Sequence, residues 1–204
     1  MWEDGANTAK GAAGSVKHNQ QLTAESPGLA RVQTAIKGAL ASHPETERTA
    51  YPSHILDPFI NRHDAEQGHR YGPHVDRALR VRYPSLRRFR ADISCTILLS
   101  DHEDFSGGDL TIYDGVTKFT PPLQQGDAVF YPSTYIHEVA QVTRGTRYAA
   151  CTWIQSAIPD ANQRRVLKHL HDAIQVNARI QSPNQTQTDL ALVQQALHQM
   201  WASV

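Results

Sequence analysis

Residues 92–100 read DISCTILLS, and this stretch decides the fold class. From Ile93 to Leu99 it is dense in apolar side chains, with Ser94, Cys95 and Thr96 inside the run. It is far short of the roughly 18 apolar residues that a membrane-spanning helix needs. The length and the β-favouring residue types predict a central strand. Similar segments follow it between turn signals. Ser106-Gly107-Gly108-Asp109 is a turn, and Leu110, Thr111 and Ile112 predict the next strand. Pro121-Pro122 confines its neighbourhood to an edge or loop. Gly126-Asp127 turns the chain into a strand over Ala128 to Tyr131. The segments Glu138 to Val142 and Arg147 to Ile154 (RYAACTWI) complete the set, with Gly145 as the hairpin turn between them.

Outward from this block the periodicity changes. Residues 1–24 are rich in Gly, Ala, Asn and Gln and read as a loop with one short strand around Val16 to Leu22. Ser26-Pro27 starts a helix whose apolar face is Leu29, Val32, Ile36 and Leu40, ending near Ser42 before His43-Pro44. After Pro159, Val166, Leu167, Leu170, Ile174 and Ile180 fit a helix. Beyond Ser182-Pro183-Asn184, a second follows over Leu190, Val193, Leu197 and Trp201. The layout predicts a mainly β fold with helices: a jelly-roll core over residues 1–158, carrying an N-terminal helix, and a C-terminal helical extension over 159–204.

The chain has 204 residues, and its 20 Lys and Arg balance its 20 Asp and Glu. A neutral balance argues against a broad nucleic-acid footprint or a polybasic membrane contact. The N-terminus shows no basic start followed by an apolar block, so no secretory signal is expected and the chain reads as cytoplasmic. Two cysteines, Cys95 and Cys151, make neither a disulfide framework nor a four-cysteine zinc site, and read as small buried apolar residues. Eleven histidines bring metal ligation into consideration.

His74-Val75-Asp76 carries the chemistry. On an extended strand, residues two apart point to one face, so an imidazole and a carboxylate converge on one point. A third ligand is offered by His137, which follows a strand and a proline turn. Two His and one carboxylate leave three positions open on Fe(II), enough for a bidentate 2-oxo acid and O2. Ten residues further lies Arg147, on a strand expected to run back beside that of His137. Its planar fork suits the far carboxylate of 2-oxoglutarate. Arg144, at the expected turn, faces solvent in this reading. His69 reads as a loop histidine, and His63, His54 and His43 as solvated. Asn61 reads equally as a pocket or a strand-end residue.

The segments YGPHVD (71–76), SGGDLTIYD (106–114), GDAVFYPS (126–133), IHEVAQVTRGTR (136–147) and TWIQS (152–156) together resemble the bacterial PKHD-type hydroxylases. These are Fe(II)- and 2-oxoglutarate-dependent dioxygenases related to the prolyl 4-hydroxylase catalytic subunit. The resemblance implies a double-stranded β-helix fold. It also implies iron on His74, Asp76 and His137, 2-oxoglutarate on Arg147, and a cosubstrate hydrogen bond from Tyr71. Hydroxylation of a small-molecule or peptide substrate by O2, with release of succinate and CO2 and with ascorbate as reductant, follows from it. Against that pattern the N-terminus looks shortened. Two other readings fit the residues alone: a zinc- or manganese-dependent hydrolase, which would not require Arg147, and a non-catalytic jelly-roll binding module. The C-terminal helices leave a homodimer open.

Overall fold

The computed structural model describes residues 1–9, 11–82, 87–180 and 185–203. The chain opens with β1 (Trp2–Asp4), the one-turn helix α1 (Ala12–Ser15), β2 (Lys17–His18) and β3 (Gln20–Leu22). Helices α2 (Leu29–Ser42) and α3 (Pro44–Ala50) follow, then β4 (Pro52–Ile55), β5 (Phe59–Asp64) and β6 (Arg70–His74). Next come β7 (Leu79–Arg82), β8 (Arg87–Arg90), β9 (Ile93–Leu98), β10 (Phe105–Gly107), β11 (Leu110–Tyr113) and β12 (Lys118–Phe119). The core closes with β13 (Ala128–Pro132), β14 (Ile136–Val139) and β15 (Val142–Ser156), before α4 (Ala161–Ile180) and α5 (Gln185–Trp201). The Ser182-Pro183-Asn184 interruption lies outside the described residues.

Among the described residues the strands form two antiparallel sheets and a separate ribbon. The major sheet runs β1-β3-β5-β15-β9-β13, with β10 and β4 also paired to β15. The minor sheet runs β12-β11-β14-β6-β2, and β7 pairs with β8 alone. This is the expected jelly roll with helices at both ends of the sequence.

The central strand follows its alternation. Cys95 and Ile97 pack with Ile60, Ala150, Leu29 and Leu40, so one face of the major sheet is covered by α2. Ile93 joins Ala50 and the fully buried Ile154 in the same layer. Ser94 and Thr96, pointing the other way, line the space between the sheets. The apolar face expected for α2 is narrower than its spacing suggested, because Val32 is exposed at the helix edge. Helix α2 ends at Ser42 as expected, and Pro44 follows the break at His43. It opens α3, where its missing N–H costs nothing and His43 Nδ1 accepts from the amide of Glu45.

The expected hairpin at Gly145 is corrected. The turn falls at Ala140-Gln141, and β15 is one continuous strand through Gly145. Gly145 has φ of 67°, and a Cβ there would lie 1.9 Å from the carbonyl oxygen of Asp104. The glycine therefore allows β10 to approach the strand and does not reverse the chain. As a consequence β15 does not lie beside β14; the two strands belong to facing sheets.

Helices α4 and α5 pack on each other, and α4 packs on α3. Arg164 anchors α4 by donating to the carbonyls of Ile158 and Pro159 at 2.7 and 2.8 Å. Leu167 is fully buried, whereas Val166 and Ile180, expected on the packed face, are exposed. No helix among the described residues is long and apolar enough to cross a membrane.

Candidate metal and cosubstrate centre

His74 is the last residue of β6, and His137 is its direct partner in β14. Neighbouring strands therefore bring the two imidazoles together, with ring centroids 4.1 Å apart. Asp76 lies just beyond the strand end, where the chain still carries it to the same point. One donor atom from each of His74, Asp76 and His137 lies within 4.8 Å of the others, a cluster that could hold a metal ion. Asp76 Oδ2 is 3.6 Å from His137 Nε2.

The surrounding hydrogen bonds fit that use. His74 Nδ1 lies 2.8 Å from the carbonyl oxygen of Gly72, and His137 Nδ1 lies 3.1 Å from that of Tyr135. A carbonyl only accepts, so each Nδ1 donates and each ring is fixed with Nε2 as the nitrogen left for a metal. Ser94 donates to Asp76 Oδ2 at 2.6 Å and therefore accepts from Ser133 at 2.8 Å. Burial, reinforced by His137, lowers His74 to about 4, so it is neutral at physiological pH. Burial pushes the Asp76 carboxyl up, but His137, the Ser94 hydroxyl and Arg80 outweigh it and the net direction is down. The donor set is two imidazoles and a carboxylate, suited to a divalent first-row ion.

These groups open into a cavity between the sheets. Its other wall is the major sheet: Asn61 and His63 on β5, and Arg147, Ala149 and Cys151 on β15. Arg147 is 3% exposed, yet among the described residues its guanidinium has neither an acidic partner nor a hydrogen bond. Burial pulls its pKa down without a neighbouring carboxylate to restore it fully. Such a cation is held ready for an anion. Gly108 makes room for it, since a Cβ there would sit 2.8 Å from Arg147 Cδ. Arg144, by contrast, is exposed on β15 and bonds Ser106 and the carbonyl of Glu103, as expected of a residue outside the cavity.

Tyr71 borders the same site. Its ring stacks on His74, with centroids 3.5 Å apart and an interplanar angle of 10°. Its hydroxyl makes no hydrogen bond among the described residues, and burial raises its pKa.

Several residues that the sequence left aside are part of the cavity. His63, expected to be solvated, is 3% exposed and lines the wall directly opposite Arg147 in strand register. The physical reason is strand alternation: β5 turns Asn61 and His63 inward together. Asn61 is a pocket residue, accepting from Gln21 at 2.7 Å and Asn19 at 3.1 Å. His69 is indeed in a loop but is buried, with Nδ1 accepting from the amide of Asp64. Lys17 is buried beside Tyr71, and burial lowers it to about 8. Cys95 is buried as expected, and both cysteines border the cavity, Cys151 on the strand of Arg147.

The sequence profile of the 2OG-Fe(II) oxygenase superfamily matches residues 58–155, which hold all four of His74, Asp76, His137 and Arg147. A PKHD-type hydroxylase of Acinetobacter baylyi is 38% identical over 181 residues, covering 89% of this chain and 78% of that protein. One from Paracoccus denitrificans is 39% identical over 173 residues, covering 85% of this chain and 75% of its own length. A prolyl-4-hydroxylase structure from Pseudomonas putida superposes with a TM-score of 0.48 at 16% identity, covering 72% of this chain and 77% of that one. Identity of this extent over nearly the whole chain places it in a family: the protein belongs to the PKHD-type hydroxylases, which are 2-oxoglutarate- and Fe(II)-dependent dioxygenases.

Proposed function

We propose that His74, Asp76 and His137 hold Fe(II), and that Arg147 receives the far carboxylate of 2-oxoglutarate, in an enzyme that hydroxylates an unactivated C–H bond and releases succinate and CO2. The observation that carries this reading is a buried guanidinium without an acidic partner, in the same cavity as two imidazoles and a carboxylate with free donor atoms. A hydrolase would not require that cation. When bound, ferrous iron with 2-oxoglutarate supplies the activation of O2 for insertion into a C–H bond.

The chain's own residues supply position and protonation state. The carbonyls of Gly72 and Tyr135 fix both imidazole rings with Nε2 as the nitrogen left for the metal. Ser94 holds Asp76 by one oxygen, and Ser133 fixes Ser94 in turn. Arg147 sets how deep the cosubstrate sits and which end faces the metal, a matter of orientation more than of raw affinity. The Tyr71 ring walls one side of His74, and we assign its free hydroxyl to a cosubstrate hydrogen bond. Ascorbate serves in this reading to keep the iron ferrous, and O2 and a small-molecule or peptide substrate are the remaining reactants. We take residues 1–158 as the catalytic jelly roll, 159–204 as its helical extension, and the enzyme as cytoplasmic.

The test is succinate formation from 2-oxoglutarate under air with added Fe(II) and ascorbate, read with oxygen uptake. Metal-dependent succinate, even without a primary substrate, supports the proposal. No succinate and no oxygen uptake from a protein that holds the metal contradicts it.

A further inference from the structure

The cavity contains a buried titratable group that the proposed chemistry does not use. Among the described residues, both ring nitrogens of His63 are buried without a hydrogen-bond partner. Leaving buried donors and acceptors unpaired is costly, and an apolar side chain at this position would avoid the cost. His63 faces the cavity, and its partner across the β5–β15 ladder is Arg147. Residues directly opposite in an antiparallel pair have Cβ atoms about 5 Å apart, so one carboxylate can reach both side chains.

We infer that His63 is a second cosubstrate-binding residue, donating a ring N–H to the same far carboxylate of 2-oxoglutarate that Arg147 holds. The inference rests on the oxygenase reading above. The ionisation state agrees with it. Burial, with the Arg147 guanidinium next in weight and His69 and Lys17 adding to it, holds His63 well below its ordinary pKa. A neutral imidazole has one N–H and does not repel its neighbouring cation. The pair then offers an anion a charged fork and a neutral donor, on adjacent strands of a rigid sheet. Asn61, two residues away on β5, is already engaged by Asn19 and Gln21 and leaves this role to His63.

The test compares two ligands on the Mn(II)-loaded protein by calorimetric titration. 2-Oxoglutarate has the far carboxylate; oxalate chelates a divalent ion but has no chain reaching toward Arg147. The variants are His63→Phe, which keeps a packed ring without N–H, and His63→Gln, which restores a donor. His63→Phe should weaken 2-oxoglutarate between about tenfold and a hundredfold, the range for losing one hydrogen bond to a charged group, with oxalate unchanged. His63→Gln should recover most of the loss. The ratio of the two affinities is insensitive to any misfolded fraction. A ratio unchanged in His63→Phe, or equal losses for both ligands, overturns the assignment. A parent protein that binds Mn(II) and oxalate but not 2-oxoglutarate overturns Arg147 and His63 together, and one that binds neither ligand overturns the oxygenase reading itself.

Discussion

The two sheets that face the cavity contribute in opposite ways. The minor sheet is short-stranded and delivers the metal-type donors by the simplest register: His74 opposite His137, with Asp76 at the strand end. All three donors have their orientation fixed by groups already in the protein. The major sheet delivers long strands, a packed outer face against α2, and an inner face on which Arg147 and His63 have no hydrogen-bond partners among the described residues. One wall is satisfied and positioned; the other is unsatisfied and waiting. The comparison teaches that in this fold the ion site is completed by local pairing, whereas the anion site is completed only by its ligand.

Substitutions on the two walls should therefore separate. The largest effect is expected for His137→Ala, which removes a donor from the ion site: Mn(II) affinity and succinate formation should both collapse, as titration and turnover will read. Arg147→Leu should leave Mn(II) affinity near that of the parent while raising the 2-oxoglutarate KM by about a hundredfold, the scale of a bidentate charge-assisted contact. If Arg147→Leu lost the metal as well, the division between the walls would fail. Ser94→Ala tests the link between them, because Ser94 projects from the major sheet to Asp76. It should weaken metal binding by about tenfold, at the low end for a group that orients a ligand.

The smallest effect is on pH. His74, at about 4, and His63, well below its ordinary range, both have folded values under the unfolded value of 6.5. Between those values the unfolded chain binds more protons than the folded one, so their contribution is full above pH 6.5 and is lost as the pH falls toward 4. The metal-free protein should lose thermal stability over this window, and His63→Gln should show a shallower decline. A decline of unchanged slope in that variant would remove His63 as a contributor.

How much was legible follows the same division. His74-Val75-Asp76 is contiguous, so both donors arrive at one point together, although β6 ends at His74 and Asp76 lies just beyond it. His137 and Arg147 are distant in sequence but unusual in type within strand-like segments, His137 in β14 and Arg147 inside β15. The DISCTILLS strand is legible because its residues alternate, Ser94 reaching inward to Asp76 while Cys95 and Ile97 pack with Leu29 and Leu40 of α2. What escaped depends on long-range register. Gly145 looks like a turn residue in isolation, yet its positive φ serves the close passage of β10. Once a hairpin was assumed there, β15 fell beside β14 instead of opposite it. His63 escaped because a histidine on FINRHD, with no ligand-spaced partner, has no local signal; only pairing with Arg147 across the sheet gives it meaning.

The central claim is that one ion and one cosubstrate bridge the two walls. Crystals grown with Mn(II) and 2-oxoglutarate, with anomalous scattering to locate the metal, test it most directly. We expect a single metal peak bonded to His74 Nε2, Asp76 and His137 Nε2, with the far carboxylate of the ligand on Arg147. A metal bound elsewhere, or a ligand whose carboxylate leaves Arg147 unpaired, would contradict the account.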